Sequence, residues 1–234
     1  MLHKSHIRTL REDPPIKEKI APAGAIFDMD GLMLDTERPS LRAWKKAGEQ
    51  MGLPISEEVV FRTIGISEGA VKKVYFDAYG EDFPYLEVRA KVKEILDEEV
   101  KREGIALRPG LLVLLDTFAA MGVPLAVATS THKKRALWKL EYTGLHPHFA
   151  AFSFGDEVER GKPAPDIFLL AAERLGKNPR DCVGFEDSPA GLAGLHAAGI
   201  RSVFVKDLVE PPEETLAAVW HRARDLAEAT ALFG

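Results

Sequence analysis

Five short apolar runs recur along this chain with helix-like sequence between them, at Ala25–Asp28, Leu125–Thr129, Ala151–Phe154, Cys182–Phe185 and Ser202–Val205. The intervening stretches Leu111–Met121, Lys133–Thr143, Pro165–Leu175 and Pro189–Ala198 read as helices. Several begin beside proline and stop at Gly122, Gly144, Gly176 or Gly199, the asymmetry that marks helix starts and ends. Strands alternating with helices of this length predict an α/β fold with a parallel sheet. Between Glu37 and about Arg108 the strand signal vanishes. Leu41, Trp44, Ala47 and Met51 recur at helical spacing, as do Val88, Val92, Ile95, Leu96 and Val100. That region is expected to be a helical insertion of roughly four helices, joined through linkers near Asp35–Arg38 and Gly104–Pro109.

The bulk properties narrow the function classes. With 234 residues, 46% hydrophobic and 29% charged, the chain is expected to be globular and soluble. It has no apolar run of about 18 residues, so no membrane partner is expected. A net charge of −5 argues against nucleic acid. The single cysteine, Cys182, lies in an apolar run, excludes an internal disulfide and fits a reducing, cytoplasmic setting. Residues 1–22 combine basic side chains and proline with few bulky apolar residues, and are expected to form an extended or weakly packed arm. No heptad or interface pattern is evident, so a monomer is expected.

Four segments carry the chemistry. In the first, Phe27-Asp28-Met29-Asp30-Gly31, an apolar run ends in two carboxylates. Side chains two apart on a strand share a face, and close carboxylates repel unless a cation or proton joins them. The pair suits Mg²⁺ and a phosphate ester, or else an Asp/Gly turn. In the second, Leu125 to Thr131, an apolar run ends in Thr129, Ser130 and Thr131, which suit either a phosphate oxygen or capping of the next helix. In the third, Gly161-Lys162-Pro163-Ala164-Pro165, a lysine precedes a proline-started helix and either reaches a site or solvates a surface. In the fourth, Gly184-Phe185-Glu186-Asp187-Ser188, a second acidic pair ends a second run. It could share a hard cation with the first pair, or Asp187 and Ser188 could cap the helix.

The first segment, extended to Phe27-Asp28-Met29-Asp30-Gly31-Leu32-Met33-Leu34-Asp35-Thr36-Glu37, closely resembles the first motif of the haloacid dehalogenase superfamily. The similar branch includes phosphoglycolate phosphatases, sugar-phosphate phosphatases and β-phosphoglucomutases. The string Lys162-Pro163-x-Pro165-x-x-Phe168 and the run from Gly184 to Gly199 match that branch's third and fourth motifs, so the resemblance covers Ala25 to about Asp207. It implies a Rossmann-like core at 23–37 and 105–234, with a helical cap domain inserted at 38–104. It implies Asp28 as nucleophile and Asp30, protonated at first, as general acid and then base. Thr129, Ser130 and Lys162 would hold the phosphoryl group. Mg²⁺ would sit on Asp28, the Asp30 carbonyl and Asp187, with Glu186 in its first or second shell.

Within the superfamily, Asp30 separates phosphotransfer from dehalogenation, and this first motif is not that of the phosphonate hydrolases. Mutases of the branch carry a histidine where this chain has Ser40 and a phosphate-binding arginine where it has Glu68. A glutamate there would repel a second phosphate. The expected activity is therefore Mg²⁺-dependent hydrolysis of a small phosphorylated metabolite, a sugar phosphate or nucleotide-like phosphate. The alternatives are a β-phosphoglucomutase-type transfer and a catalytically silent binding protein. The first motif also resembles a pseudouridine-5′-phosphatase-like group, without fixing a substrate. Selectivity is expected from Ile64–Lys73 and from His132–Lys134.

Overall fold

The computed structural model describes residues 19–234, so most of the expected N-terminal arm lies outside the described residues. Six parallel strands form one sheet in the order β3-β2-β1-β4-β5-β6. They are β1 (Gly24–Phe27), β2 (Leu125–Thr129), β3 (Ala151–Phe154), β4 (Cys182–Glu186), β5 (Arg201–Val205) and β6 (His221–Ala223). The order reverses at β1, which pairs with β2 on one side and β4 on the other. In open α/β sheets the crevice at such a reversal, beyond the strands' carboxyl ends, is where ligands bind. β6 was not expected. It is three residues, His-Arg-Ala, and carries no apolar run, but it pairs with β5 from Val203 to Val205.

The central strands are buried on both faces, which is why they read as unbroken apolar runs. Ala25, Phe27, Val127, Phe185 and Val203 face one layer, built on α5 (Leu111–Ala120), α6 (Lys133–Tyr142) and α10 (Leu226–Thr230). Ile26, Ala126 and Ala128 face the other, chiefly α7 (Asp166–Leu175), with Leu195 of α8 (Pro189–Ala197). The alternation follows from the two-residue period of a strand. Ile20 closes the rim, its N–H donating to the Leu232 carbonyl at 2.9 Å.

Helices α1 (Glu37–Met51), α2 (Glu57–Phe61), α3 (Glu68–Tyr79) and α4 (Tyr85–Glu103) enclose a separate apolar cluster. Its centre is aromatic: Trp44 stacks on Tyr75 at 4.4 Å between ring centroids, and Tyr75 on Phe83 at 5.6 Å. Met51, expected on the buried stripe, is exposed at the last turn of α1. The two chain crossings to this helical unit run side by side. Asp35 N–H donates to Ala106 and Arg108 N–H to Met33, both at 2.9 Å. Beyond β5, the buried Asp207 carboxylate lies 2.6 Å from Arg38 on one crossing and 2.9 Å from Arg108 on the other. One core carboxylate thus anchors both crossings.

Phe118 is fully buried on α5 and touches the rings of Phe27, Phe185 and Phe233. Phe118→Ala should cost about 3–5 kcal/mol of stability. Urea unfolding would show it as a lower midpoint at unchanged slope. A loss under about 1 kcal/mol would mean that this face repacks freely.

Candidate active site

The carboxyl ends of β1, β2 and β4 bring the four chemical segments together. The Asp28 carboxylate, one residue past β1, accepts from Lys162 Nζ. The Lys162 side chain is fully buried, also donates to Glu186 Oε1 at 2.5 Å, and lies 4.9 Å from the centre of the Phe168 ring. Glu186 Oε2 accepts from the N–H groups of Asp187 and Ser188 at 2.9 and 3.0 Å, and from Ser188 Oγ at 3.0 Å. Both Glu186 oxygens are therefore engaged. Those of Asp187 are not: each is buried and accepts no hydrogen bond from any described residue. Oxygens of Asp28, Glu186 and Asp187 lie within 4.8 Å of one another.

Asp30 has a separate environment. The strand has ended by Phe27, so the shared-face expectation for Asp28 and Asp30 does not apply. Asp30 Oδ1 accepts from Thr36 Oγ1 at 2.8 Å and Lys139 Nζ at 2.5 Å, and Oδ2 from Thr131 Oγ1 at 2.7 Å. Asp28 and Asp30 nonetheless line one cavity of about 600 Å³, together with Thr129 and Ser130. Thr129 is buried and its Oγ1 accepts the Thr131 N–H at 3.1 Å. Lys162, Glu186 and Asp187 stand behind Asp28 and do not line the cavity.

The helical unit roofs this cavity. Ser130 Oγ donates to the Gly65 carbonyl at 3.1 Å. Gly65 has φ +78°, and a Cβ there would lie 2.2 Å from Ser188 Oγ; one on Gly161 would lie 2.9 Å from Ser67 Cβ. Glycine at 65 and 161 lets the loop between α2 and α3 sit directly on the loops that carry the second, third and fourth segments. Ser40 and Glu68 both line the cavity. Glu68 lies 3.7 Å from Arg89 and 3.7 Å from the exposed His132.

The electrostatics divide along the same line. Burial pushes the Asp28 carboxyl up to about 7, with Lys162 opposing the rise and Glu186 adding to it. Burial, then Glu186 and Asp28, raises Asp187 well above the carboxylate range. Burial would lower Lys162, but the Asp28 and Glu186 carboxylates hold it above the usual lysine range. Burial and then Asp30 push Glu37 up to about 8. Burial would also raise Asp30, yet Lys139 and the Thr131 and Thr36 hydroxyls keep it below its usual range. The expected protonated Asp30 is thus not the form that this arrangement favours; the cation on α6 is the reason.

Lys139, Thr36 and Glu37 carried no role in the sequence analysis, and Thr131 was weighed there only as a phosphate contact or a helix cap. A usable signal existed for Lys139, which lies three residues after Ala136 and one before Leu140, both buried. A lysine beside an inward stripe is placed to reach inward.

Three buried carboxylates, one with both oxygens unpartnered, offer the oxygen donors that a hard cation takes. Residues 22–199 match the haloacid dehalogenase-like hydrolase family. A phosphorylated carbohydrates phosphatase of Thermotoga maritima is 35% identical over 185 residues, 76% of this chain and 82% of that protein. The fructose-1-phosphate phosphatase YqaB of Escherichia coli is 32% identical over 79% of this chain and 96% of its own length. The crystal structure of CbbY from Rhodobacter sphaeroides in complex with phosphate superposes with a TM-score of 0.74 at 25% identity, covering 89% of this chain and 96% of that one. The chain belongs to the haloacid dehalogenase-like hydrolases, and by class it is a phosphoric monoester hydrolase.

The two free Asp187 oxygens predict a metal-dependent stability. Without metal, folded protein keeps protons on Asp28 and Glu37 that the unfolded chain has lost, so the native state binds more protons. Stability should then fall as pH rises from about 4 to about 8. Added Mg²⁺ should raise the unfolding midpoint most at the upper end, and Asp187→Asn should remove that gain. Denaturant melts in EDTA and in Mg²⁺ across this range would check it. Stability that rises with pH in EDTA would contradict it.

Proposed function

We propose that this protein hydrolyses a small phosphate monoester, a sugar phosphate or nucleotide-like phosphate, through an aspartyl-phosphate on Asp28. The observation that carries the proposal is the pairing of Asp28 with buried Lys162, in front of Glu186 and the unpartnered Asp187, at the floor of a roofed cavity. The names of the relatives support the same substrate class. The Asp28 carboxylate, the Asp30 carbonyl and Asp187 would hold Mg²⁺, and when bound the ion supplies the positive charge that lets an anionic ester approach an anionic nucleophile. Glu186, with both oxygens engaged, fixes Lys162 and the turn at Asp187–Ser188.

An Asp28 oxygen attacks phosphorus and the bond from phosphorus to the ester oxygen breaks. The leaving oxygen takes a proton from Asp30, which must first acquire it against the pull of Lys139 toward the ionised form. Water then attacks phosphorus, the bond to Asp28 breaks, and Asp30 receives the water's proton. The proton gained in one cycle serves the next leaving group, so the turnover consumes one water and leaves no net charge on the protein. Lys162, Thr129 and the Ser130 N–H would take up charge on the remaining phosphoryl oxygens. The helices over the cavity act as the cap, with Ser40 and Glu68 at the positions that a mutase of the family would fill with histidine and arginine.

The test is a screen of sugar phosphates, nucleotides and phosphoglycolate with Mg²⁺, run beside Asp28→Asn. One ester class should be preferred, EDTA should abolish turnover, and the variant should lose at least about 10³-fold in kcat while keeping its fold. Turnover retained in Asp28→Asn would refute the nucleophile assignment.

A further inference from the structure

Lys139 stands two turns into α6, outside all four motif segments, and is 13% exposed. Its ammonium group lies 2.5 Å from Asp30 Oδ1. With Thr36 and Thr131 it completes a socket of three donors, two on Oδ1 and one on Oδ2. Lys139 is the one cation in that socket among the described residues. Asp28 has its own cation in Lys162, which makes no hydrogen bond to Asp30. The two carboxylates beyond β1 are therefore held by separate lysines, Lys162 in the turn before α7 and Lys139 on α6, one serving the nucleophile and one serving its neighbour.

We propose that Lys139 is a positioning residue for Asp30, holding that carboxylate at the leaving-group side of the cavity without acting on Asp28. The inference rests on the role given to Asp30 above. The three donors line the same cavity as Asp30 and engage both of its oxygens, two on Oδ1 and one on Oδ2, so that the carboxylate is held at both ends. Without Lys139, Oδ1 keeps a single hydroxyl donor, Thr36, which belongs to the crossing into the cap. A carboxylate so loosened samples other rotamers, and the group that handles the proton is misplaced while the nucleophile is not.

The consequence depends on the leaving group. An alkoxide must be protonated as it departs, whereas p-nitrophenolate leaves without a proton. Lys139→Met keeps the length and apolar stem of the side chain and removes the charge. In a rapid-quench first turnover, Lys139→Met should release a sugar alcohol from its phosphate about 10²-fold more slowly than the unaltered protein. Its first-turnover burst of p-nitrophenolate from p-nitrophenyl phosphate should stay within about threefold. KM for both esters should be little changed, and Lys139→Arg should recover most of the loss, since it restores a cation to Asp30.

Equal losses on both esters in the first turnover would overturn the proposal, as would no loss on either. A KM raised alike for both, with kcat intact, would overturn it too and make Lys139 a phosphate contact. If Lys139→Met does not fold, Lys139→Gln carries the same comparison. If the unaltered protein turns over neither ester, the phosphatase reading falls and this inference falls with it. If it turns over both and only the leaving-group dependence is missing, the role of Lys139 alone is refuted.

Discussion

Three carboxylates, Asp28, Glu186 and Asp187, are gathered in a buried pocket with one ammonium group, Lys162, among them. At such depth each uncompensated charge costs several kcal/mol, so the arrangement is not one that packing would select for stability. The rest of the site follows from how that excess is contained. Glu186 spends both oxygens on Lys162, two backbone N–H groups and the Ser188 hydroxyl, which makes it the best compensated of the three. Asp28 shares Lys162. Asp187 receives nothing, and the protein must either protonate it or admit a cation. Carboxylate oxygens gathered this closely are the donor set that suits a hard cation.

Containing that charge also depends on two glycines and on the register of the sheet. A Cβ on Gly191 would stand 1.7 Å from Glu186 Oε1, so the first turn of α8 can cover the carboxylate only because the residue is glycine. Gly31, at φ +85°, leaves the room beside Asp187 Oδ2 that a Cβ would fill at 2.3 Å. Both glycines lie against carboxylates, and at Gly31 the positive φ of the turn calls for glycine as well. The parallel sheet contributes by ending β1 and β4 side by side, Phe27 in register with Phe185, so that Asp28 and Glu186 emerge as neighbours.

β1, β2 and β4 were legible in the sequence because each is an apolar run with a polar stop that carries its candidate site residues within three positions. What was illegible is what reaches the site from elsewhere. Lys139 reaches Asp30 across 109 positions, and Asp207 meets Arg38 and Arg108 only after the sheet has formed. Neither contact has a local spacing to betray it. The strand-face rule had no strand to act on past Phe27, although Asp28 and Asp30 do line one cavity. β6 escaped notice because its half-exposed His221 and Arg222 give no apolar pattern, its place being set by β5. The stripe of Trp44 and Val92 was read as core, and it is core; the same side chains also line the cavity, a double use that periodicity cannot distinguish.

That double use bears on selectivity. The roof of the cavity offers the aromatic and aliphatic faces of Trp44, Tyr85, Val92 and Leu96. The cations beside them are already committed to carboxylates: Arg42 to Glu99, Arg135 and Lys93 to Asp97, Arg89 to Glu68. An ester carrying a second phosphate would have to share one of these cations with a carboxylate whose like charge opposes it. A neutral leaving group with an apolar face disturbs none of them. The floor, where Asp28 and Asp30 sit with Thr129 and Ser130, thus lies beneath a roof whose cations are paired with carboxylates and whose remaining surface is apolar.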